Sequence, residues 1–336
     1  MKKRFLLDIL RRYGMLIILL AIIIVISFLS DRFLTLSNFM VITRQVTING
    51  IVAAGMTVVI LSGGIDLSVG AVMALAGALS AGALASTNSC FLAVLVGLFM
   101  GAIFGAANGV LVAYPKLPPF IVTLATMALA RGLTLVYTGG RPILVNNESY
   151  EIIGGGYVRG IPIPVLIMAM LYVIMYIILK NHRFGRLVYA IGGNEEACRL
   201  SGINVERVKI GIYTLSGLMA GLTGVVLTSR LISAQPTAGA GYELDAIAAV
   251  ILGGTSLSGG QGHIGGTIIG AFIIGVLSNG LNLLNVSPFY QDVAKGIVIL
   301  TAVLLDRLLY TTGSIQKGVV SQKNSGKVSI NKSQGG

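Results

Sequence analysis

KNHRFGRLVYAIGGNEEACRLSGINVERVK, Lys180 to Lys209, is the longest strongly charged passage between the two ends of the chain. It carries Lys180, Arg183, Arg186, Arg199, Arg207 and Lys209 against Glu195, Glu196 and Glu206. Apolar stretches flank it, Ile163 to Leu179 before and Ile210 to Leu227 after. A basic loop between two hydrophobic helices is retained on the cytoplasmic side of a membrane. The chain therefore reads as an all-α polytopic membrane protein whose two halves are joined by one cytoplasmic loop. A helix-forming segment placed there is suited to contact a cytoplasmic partner.

Composition supports that reading. The 336 residues are 55% hydrophobic and 11% charged, where a soluble domain carries about 25% charge. A bilayer-crossing helix needs about 20 mainly apolar residues, which leaves room for about ten crossings and no sizeable soluble domain. The 45 glycines suit close helix packing in lipid. Eleven of the net +12 charges lie in three places: four near the N-terminus, three in the central loop and four in the tail after Tyr310. These are the segments expected on the cytoplasmic side, so the charge reads as topology, and no nucleic-acid surface is expected. The two cysteines, Cys90 and Cys198, form no disulfide framework or metal spacing. No cofactor or metal site is read.

The expected organisation is a basic N-terminus (1–13), a first membrane half (14–179), the loop (180–209), a second membrane half (210–310) and a disordered cytoplasmic tail (311–336). The basic start and Gly14 to Leu29 lack a small-residue cleavage site, so an uncleaved first helix is expected. Asp31 to Ile48 contains Arg32 and Arg44 and reads as interfacial. Asn49 to Leu61 and Leu67 to Leu84 read as two short helices around SGGIDLSVG (Ser62 to Gly70), with Asp66 placed as the cap of the second. Ala246 to Leu252 and Ile264 to Leu284 likewise flank GGTSLSGGQGHIGG (Gly253 to Gly266). Corresponding glycine-interrupted helices in two pseudo-repeated halves point to a path near the bilayer midplane. Gly97, Gly101, Gly105 and Gly109 form one face of Cys90 to Ala113, suited to close packing. Six segments precede the loop and four follow it, which puts the loop and both termini on the cytoplasmic side. LSGGQ (Leu257 to Gln261) matches an ATPase signature, but no phosphate loop accompanies it, so glycine-driven helix interruption is the reading adopted.

Glu196-Ala197-Cys198 followed by Gly202 resembles the E-A-A-x-x-x-G cytoplasmic loop of ABC importer permeases. Cys198 departs from the second alanine. The segments Met56 to Ser80, Tyr189 to Val205, Ala234 to Gly262 and Leu277 to Gln291 resemble the monosaccharide branch of that family over about Phe33 to Asp306. The resemblance implies a permease subunit that performs no chemistry. It implies a second permease subunit, most simply in a homodimer, within the lipid bilayer of the cytoplasmic membrane. An ABC ATPase subunit would sit on the cytoplasmic face and an extracytoplasmic sugar-binding protein outside. The sugar it points to first is ribose.

Under that resemblance Gly193, Asn194, Glu195, Glu196, Ala197, Arg199 and Gly202 are the expected ATPase-coupling residues. A neutral polyol needs hydrogen-bonding groups without strong fixed charge along its path. The candidates are Asp66, Ser68, Asn108, Thr255, Asn279 and Asn282, the last two sharing a helical face. The competing reading for the asparagines is glue between helices. A proton-coupled sugar transporter using Asp66, Asp245 or Asp292, and a non-transporting scaffold, are the alternative functions.

Overall fold

The computed structural model describes residues 2–298 and 300–301. The tail expected to be disordered lies outside them. α1 (Lys2–Leu29) runs as one helix through both the basic N-terminus and the first apolar segment.

α2 (Leu36–Leu61) is the buried axis of the fold. Thr35 caps it, its hydroxyl accepting from the Asn38 amide at 3.3 Å. Here the expected interfacial segment and short helix prove to be one helix of 26 residues. Arg44 does not break it. Its guanidinium lies over the Tyr157 ring, 4.6 Å from the centroid, and the hydroxyls of Thr43 and Thr47 bond back to carbonyls of their own helix. α3 (Val69–Thr87) follows directly after the turn at 62–68 and is itself 19 residues long. The first glycine break thus joins two full-length helices; it does not interrupt one.

α4 (Cys90–Ala113) carries the glycine face. α5 (Pro119–Thr138) comes next, with a proline opening its first turn, where the missing N–H costs nothing. The polar loop that follows forms β1 (Ile143–Leu144), α6 (Glu148–Gly155) and a hairpin of β2 (Tyr157–Val158) with β3 (Ile161–Pro162). α6 is anchored by Tyr150, whose hydroxyl meets that of Ser80 at 2.8 Å. α7 (Ile163–Asn181) returns to the charged loop, which folds as α8 (Arg183–Gly193) and α9 (Glu195–Leu200).

α10 (Val205–Leu231) packs antiparallel against α4. A Cβ added to Gly101 would strike the Gly217 carbonyl, one added to Gly105 the Tyr213 carbonyl, and one added to Gly217 the Gly101 carbonyl. The glycine stripe is therefore a backbone-to-backbone seam, the arrangement that lets dispersion hold helices together in lipid.

After α10, β4 (Ser233–Ala234) pairs antiparallel with β1. α11 (Tyr242–Leu252) has only 11 residues, about 16 Å at 1.5 Å per residue, half of a bilayer core. α12 (Ile264–Leu283) runs antiparallel beside α2. The hydroxyls of Thr57 and Thr267 meet at 2.8 Å near one end, and Asn38 and Asn279 exchange amide hydrogen bonds of 3.0 and 2.9 Å near the other. α11 accompanies only the half of α2 towards Leu61, with Asp245 opposite Asn49 at 3.4 Å. The second glycine break therefore does follow a half-length helix, unlike the first. A further helical stretch covers 288–298.

Among the described residues, seven helices are long and apolar enough to cross a membrane: α2, α3, α4, α5, α7, α10 and α12. α1 adds a 16-residue apolar stretch, Gly14–Leu29. The chain is a multi-pass membrane protein.

Candidate coupling site

α8 forms because its apolar residues recur at helical spacing. Gly185, Val188 and Ile191 are buried, while Arg183 and Arg186 face outward. α9 is too short to persist alone and is held at both ends. Asn194 caps it, accepting from the Ala197 amide at 2.9 Å, and Glu195 and Glu196 lie in its first turn, where negative charge suits the helix dipole. Gly202 closes it at φ +78°, a left-handed conformation open to glycine without steric cost, and the Ile203 amide reaches back to the Cys198 carbonyl at 3.1 Å. Cys198 is buried beneath the helix.

Charges lock α9 to the start of α10. Arg199 bridges Glu195 at 3.2 Å and also Glu206, while Lys209 reaches Glu195 at 2.7 Å. Partial burial works to raise the Glu195 carboxyl. The hydrogen bonds and charges of Lys209 and Arg199 outweigh it and hold the group below the usual carboxylate range. The same contacts, led by the hydrogen bond to Glu206, raise Arg199.

The seven residues expected to contact a partner therefore divide. Glu195 and Arg199 turn inward and shape the clamp. Gly193, Asn194, Glu196, Ala197 and Gly202 remain exposed. Leu200 joins them with 82% of its surface exposed, an apolar side chain at the tip of a charged loop. The family motif does not include it, and only the burial pattern reveals it.

The loop is also joined to both glycine breaks. The Gly260 amide donates to the Leu61 carbonyl at 2.8 Å. Gly192, in the last turn of α8, packs against both groups so closely that a Cβ there would strike the Leu61 carbonyl. Tyr189 donates its hydroxyl to the Gly262 carbonyl at 3.0 Å. A displacement of α8 would thus be felt by the end of α2 and by the segment between α11 and α12. The echo between the two breaks in the sequence pointed to a relation; their meeting under α8 was not legible, because backbone contacts leave no residue signature beyond glycine.

The candidate path residues occupy three separate places. Asp66 accepts from the Ser68 amide at 3.0 Å, the Ser68 hydroxyl at 2.6 Å and the Ser216 hydroxyl at 2.9 Å. It does not cap α3, whose N-cap is Ser68. Asn108 extends this network, donating to Ser68 at 2.9 Å and accepting from Thr126 at 2.6 Å. The network ties the first break to α4, α5 and α10. Asn279 is paired with Asn38, whereas Asn282 is exposed and accepts from Gln291 at 2.7 Å. Thr255 lies in the second break, with its hydroxyl buried and unpartnered among the described residues. Asp245 forms an ion pair with Lys295 at 3.0 Å. Lys295, a basic residue within an apolar stretch, was the signal in the sequence for that pair. The cavity of about 420 Å³ between α1, α2 and α12 is lined by apolar side chains such as Leu19, Ile23 and Phe272, which do not suit a polyol.

The structure is a many-helix membrane body with a capped, exposed loop helix joined to both glycine breaks. A model of the family described as branched-chain amino acid transport system / permease component matches residues 38–303, and the chain belongs to that family. Within it the chain is similar to the ribose import permease protein RbsC of Bacillus subtilis (strain 168), 55% identical over 301 residues, or 89% of this chain and 94% of that protein. The RbsC protein of Haemophilus influenzae is 50% identical over 88% of this chain and 93% of its own length. The L-arabinose transport system permease protein AraH of Escherichia coli (strain K12) is 40% identical over 88% and 90%. No solved structure matches. The chain is a transport subunit and not an enzyme.

Proposed function

We propose that this chain is the membrane permease subunit of an ATP-binding-cassette importer that carries a monosaccharide, ribose first among the candidates. The observation that carries the reading is identity of 50–55% with two ribose import permeases across almost their whole length. Although the family description names branched-chain amino acids, the RbsC and AraH relatives are named for sugars.

In this reading the chain crosses the cell's cytoplasmic membrane ten times, with both termini and α8–α9 inside. The eighth crossing is composite: the segment 232–241 followed by α11. Two copies form the passage. An ATPase subunit grips α9 from the cytoplasm, and a sugar-loaded binding protein docks on the side of α6 and the β2–β3 hairpin. ATP binding and hydrolysis move α9. The clamp passes that motion to α10, and Gly192 and Tyr189 pass it to the two breaks, so the passage opens alternately to either side. The chain supplies no chemistry of its own.

The test is uptake of labelled ribose into proteoliposomes holding this chain, its ATPase and its binding protein. Uptake that requires ATP and survives an uncoupler is expected. Uptake without the ATPase, abolished by an uncoupler, would favour the proton-coupled alternative.

A further inference from the structure

The chain between α10 and α11 does not stay at the membrane surface. Gly239 packs against Gly70 so closely that a Cβ on either would strike the other's carbonyl. Gly70 is the second residue of α3, one turn before Met73, whose carbonyl abuts Gly224 of α10. Gly224 lies seven residues before the end of α10 at Leu231, so Gly239 sits about 15 Å below that end, at about 1.5 Å per residue. Arg131 reaches the same turn from another side. It donates to the Ala238 carbonyl at 2.9 Å from a position seven residues before the end of α5, about 10 Å down. Asp245, one turn into α11, lies opposite Asn49, midway along α2. The irregular stretch 235–241 therefore reaches the middle of the hydrocarbon layer.

That stretch is open on one side. Thr237 and Ala240 are exposed, and nothing lies within 4 Å of where a Gly241 side chain would begin. The backbone amides of Thr237 and Ala240 have no hydrogen-bond partner among the described residues. Non-helical backbone with free amides does not face lipid at this depth; it is found only against protein or water. The exposed side chains, Thr237 and Ala240, are small and uncharged. The turn is also held firmly. Arg131 fixes Ala238, and Glu243 accepts from the Gly241 amide at 3.2 Å.

We infer that the turn 235–241 is a binding station of the passage, where Thr237 and the free amides of Thr237 and Ala240 replace water around a neutral polyhydroxylated solute. Sugar hydroxyls both donate and accept, so they match a hydroxyl and bare amides without needing a fixed charge. The inference rests on the transport reading above and adds to it the residues that meet the solute.

Cysteine accessibility tests it in the assembled complex in proteoliposomes, with the wild-type chain as the blank and Val173→Cys, exposed midway along α7, as the lipid-facing control. Ala240→Cys should react with a charged, water-soluble thiosulfonate while Val173→Cys does not. Ribose with its binding protein and ATP should slow the reaction, and modification should abolish uptake. Thr237→Val should raise half-saturating ribose about five- to tenfold, the weight of one neutral hydrogen bond. Ala240→Cys that reacts only with a membrane-soluble maleimide would overturn the inference. So would Ala240→Cys that forms a disulfide with a second copy and stays closed to the charged reagent. Wild-type complex that imports no monosaccharide would instead count against the transport reading, and the water accessibility of position 240 can still be read in that case.

Discussion

The Gly260 amide and the Leu61 carbonyl, 199 positions apart in the chain, are joined by a hydrogen bond of 2.8 Å, and Gly192 covers both. This contact puts the ends of the two glycine breaks under the α8 helix. Gly192→Ala forces an atom into the Leu61 carbonyl. Overpacking of this kind costs about 1–3 kcal/mol. The expected outcome is a lower melting temperature in detergent, with ribose uptake falling more than ATPase co-purification does. Unchanged uptake and melting would show that the junction yields freely.

Glu195 organises the clamp, and its effect depends on pH with a definite sign. Its folded-state value is depressed, so its contribution is fully present above the ordinary carboxyl value of 4.5 and is lost as pH falls through the depressed value. The partners are 16–40% exposed, so the clamp is worth only about 0.2–1 kcal/mol. Glu195→Gln should melt slightly earlier than wild type at neutral pH, and the gap should close as pH falls below the ordinary carboxyl value and through the depressed one. A gap that widens on acidification would contradict the assignment.

The ion pair of buried Asp245 with half-buried Lys295 makes a sharper case. Lys295→Met leaves a carboxylate without its cation in a buried site, a change that costs about 3–5 kcal/mol. Adding Asp245→Asn should recover most of the loss. Thermal unfolding of the two variants in detergent decides it. If the double variant is as unstable as the single one, the pair is not the cause.

Asn279 and Asn282 share a helix but not a setting. Asn279→Ala removes the reciprocal bonds with Asn38 and should lower stability by about 0.6–2 kcal/mol, with half-saturating ribose unchanged in the assembled complex. A large rise in half-saturating ribose at full assembly would place Asn279 in the passage instead.

Much of this architecture was legible before any coordinates. The apolar segments, the excess positive charge of the 180–209 loop and the packing face at Gly97 to Gly109 all follow from composition and period. What was not legible depended on tertiary cover. Arg44 argued for an interface because its stacking partner Tyr157 is more than a hundred positions away. Asp66 looked like a helix cap, since its spacing cannot show that Ser216 completes its hydrogen bonds. The candidate coupling residues carry a motif, yet only the fold separates Glu195 and Arg199, turned inward, from Glu196 and Leu200, turned outward. Leu200 carries no motif signal, and Cys198, a convenient labelling handle in the sequence, is buried.

Under the proposed function α9 is the handle by which an ATPase moves this chain. A photo-cross-linking residue placed at Leu200 in the assembled importer tests this. Position 200 should capture the ATPase subunit, and the same probe at Phe28, 87% exposed at the opposite end of the fold, should not. Capture of the ATPase from position 28, with none from position 200, would contradict it.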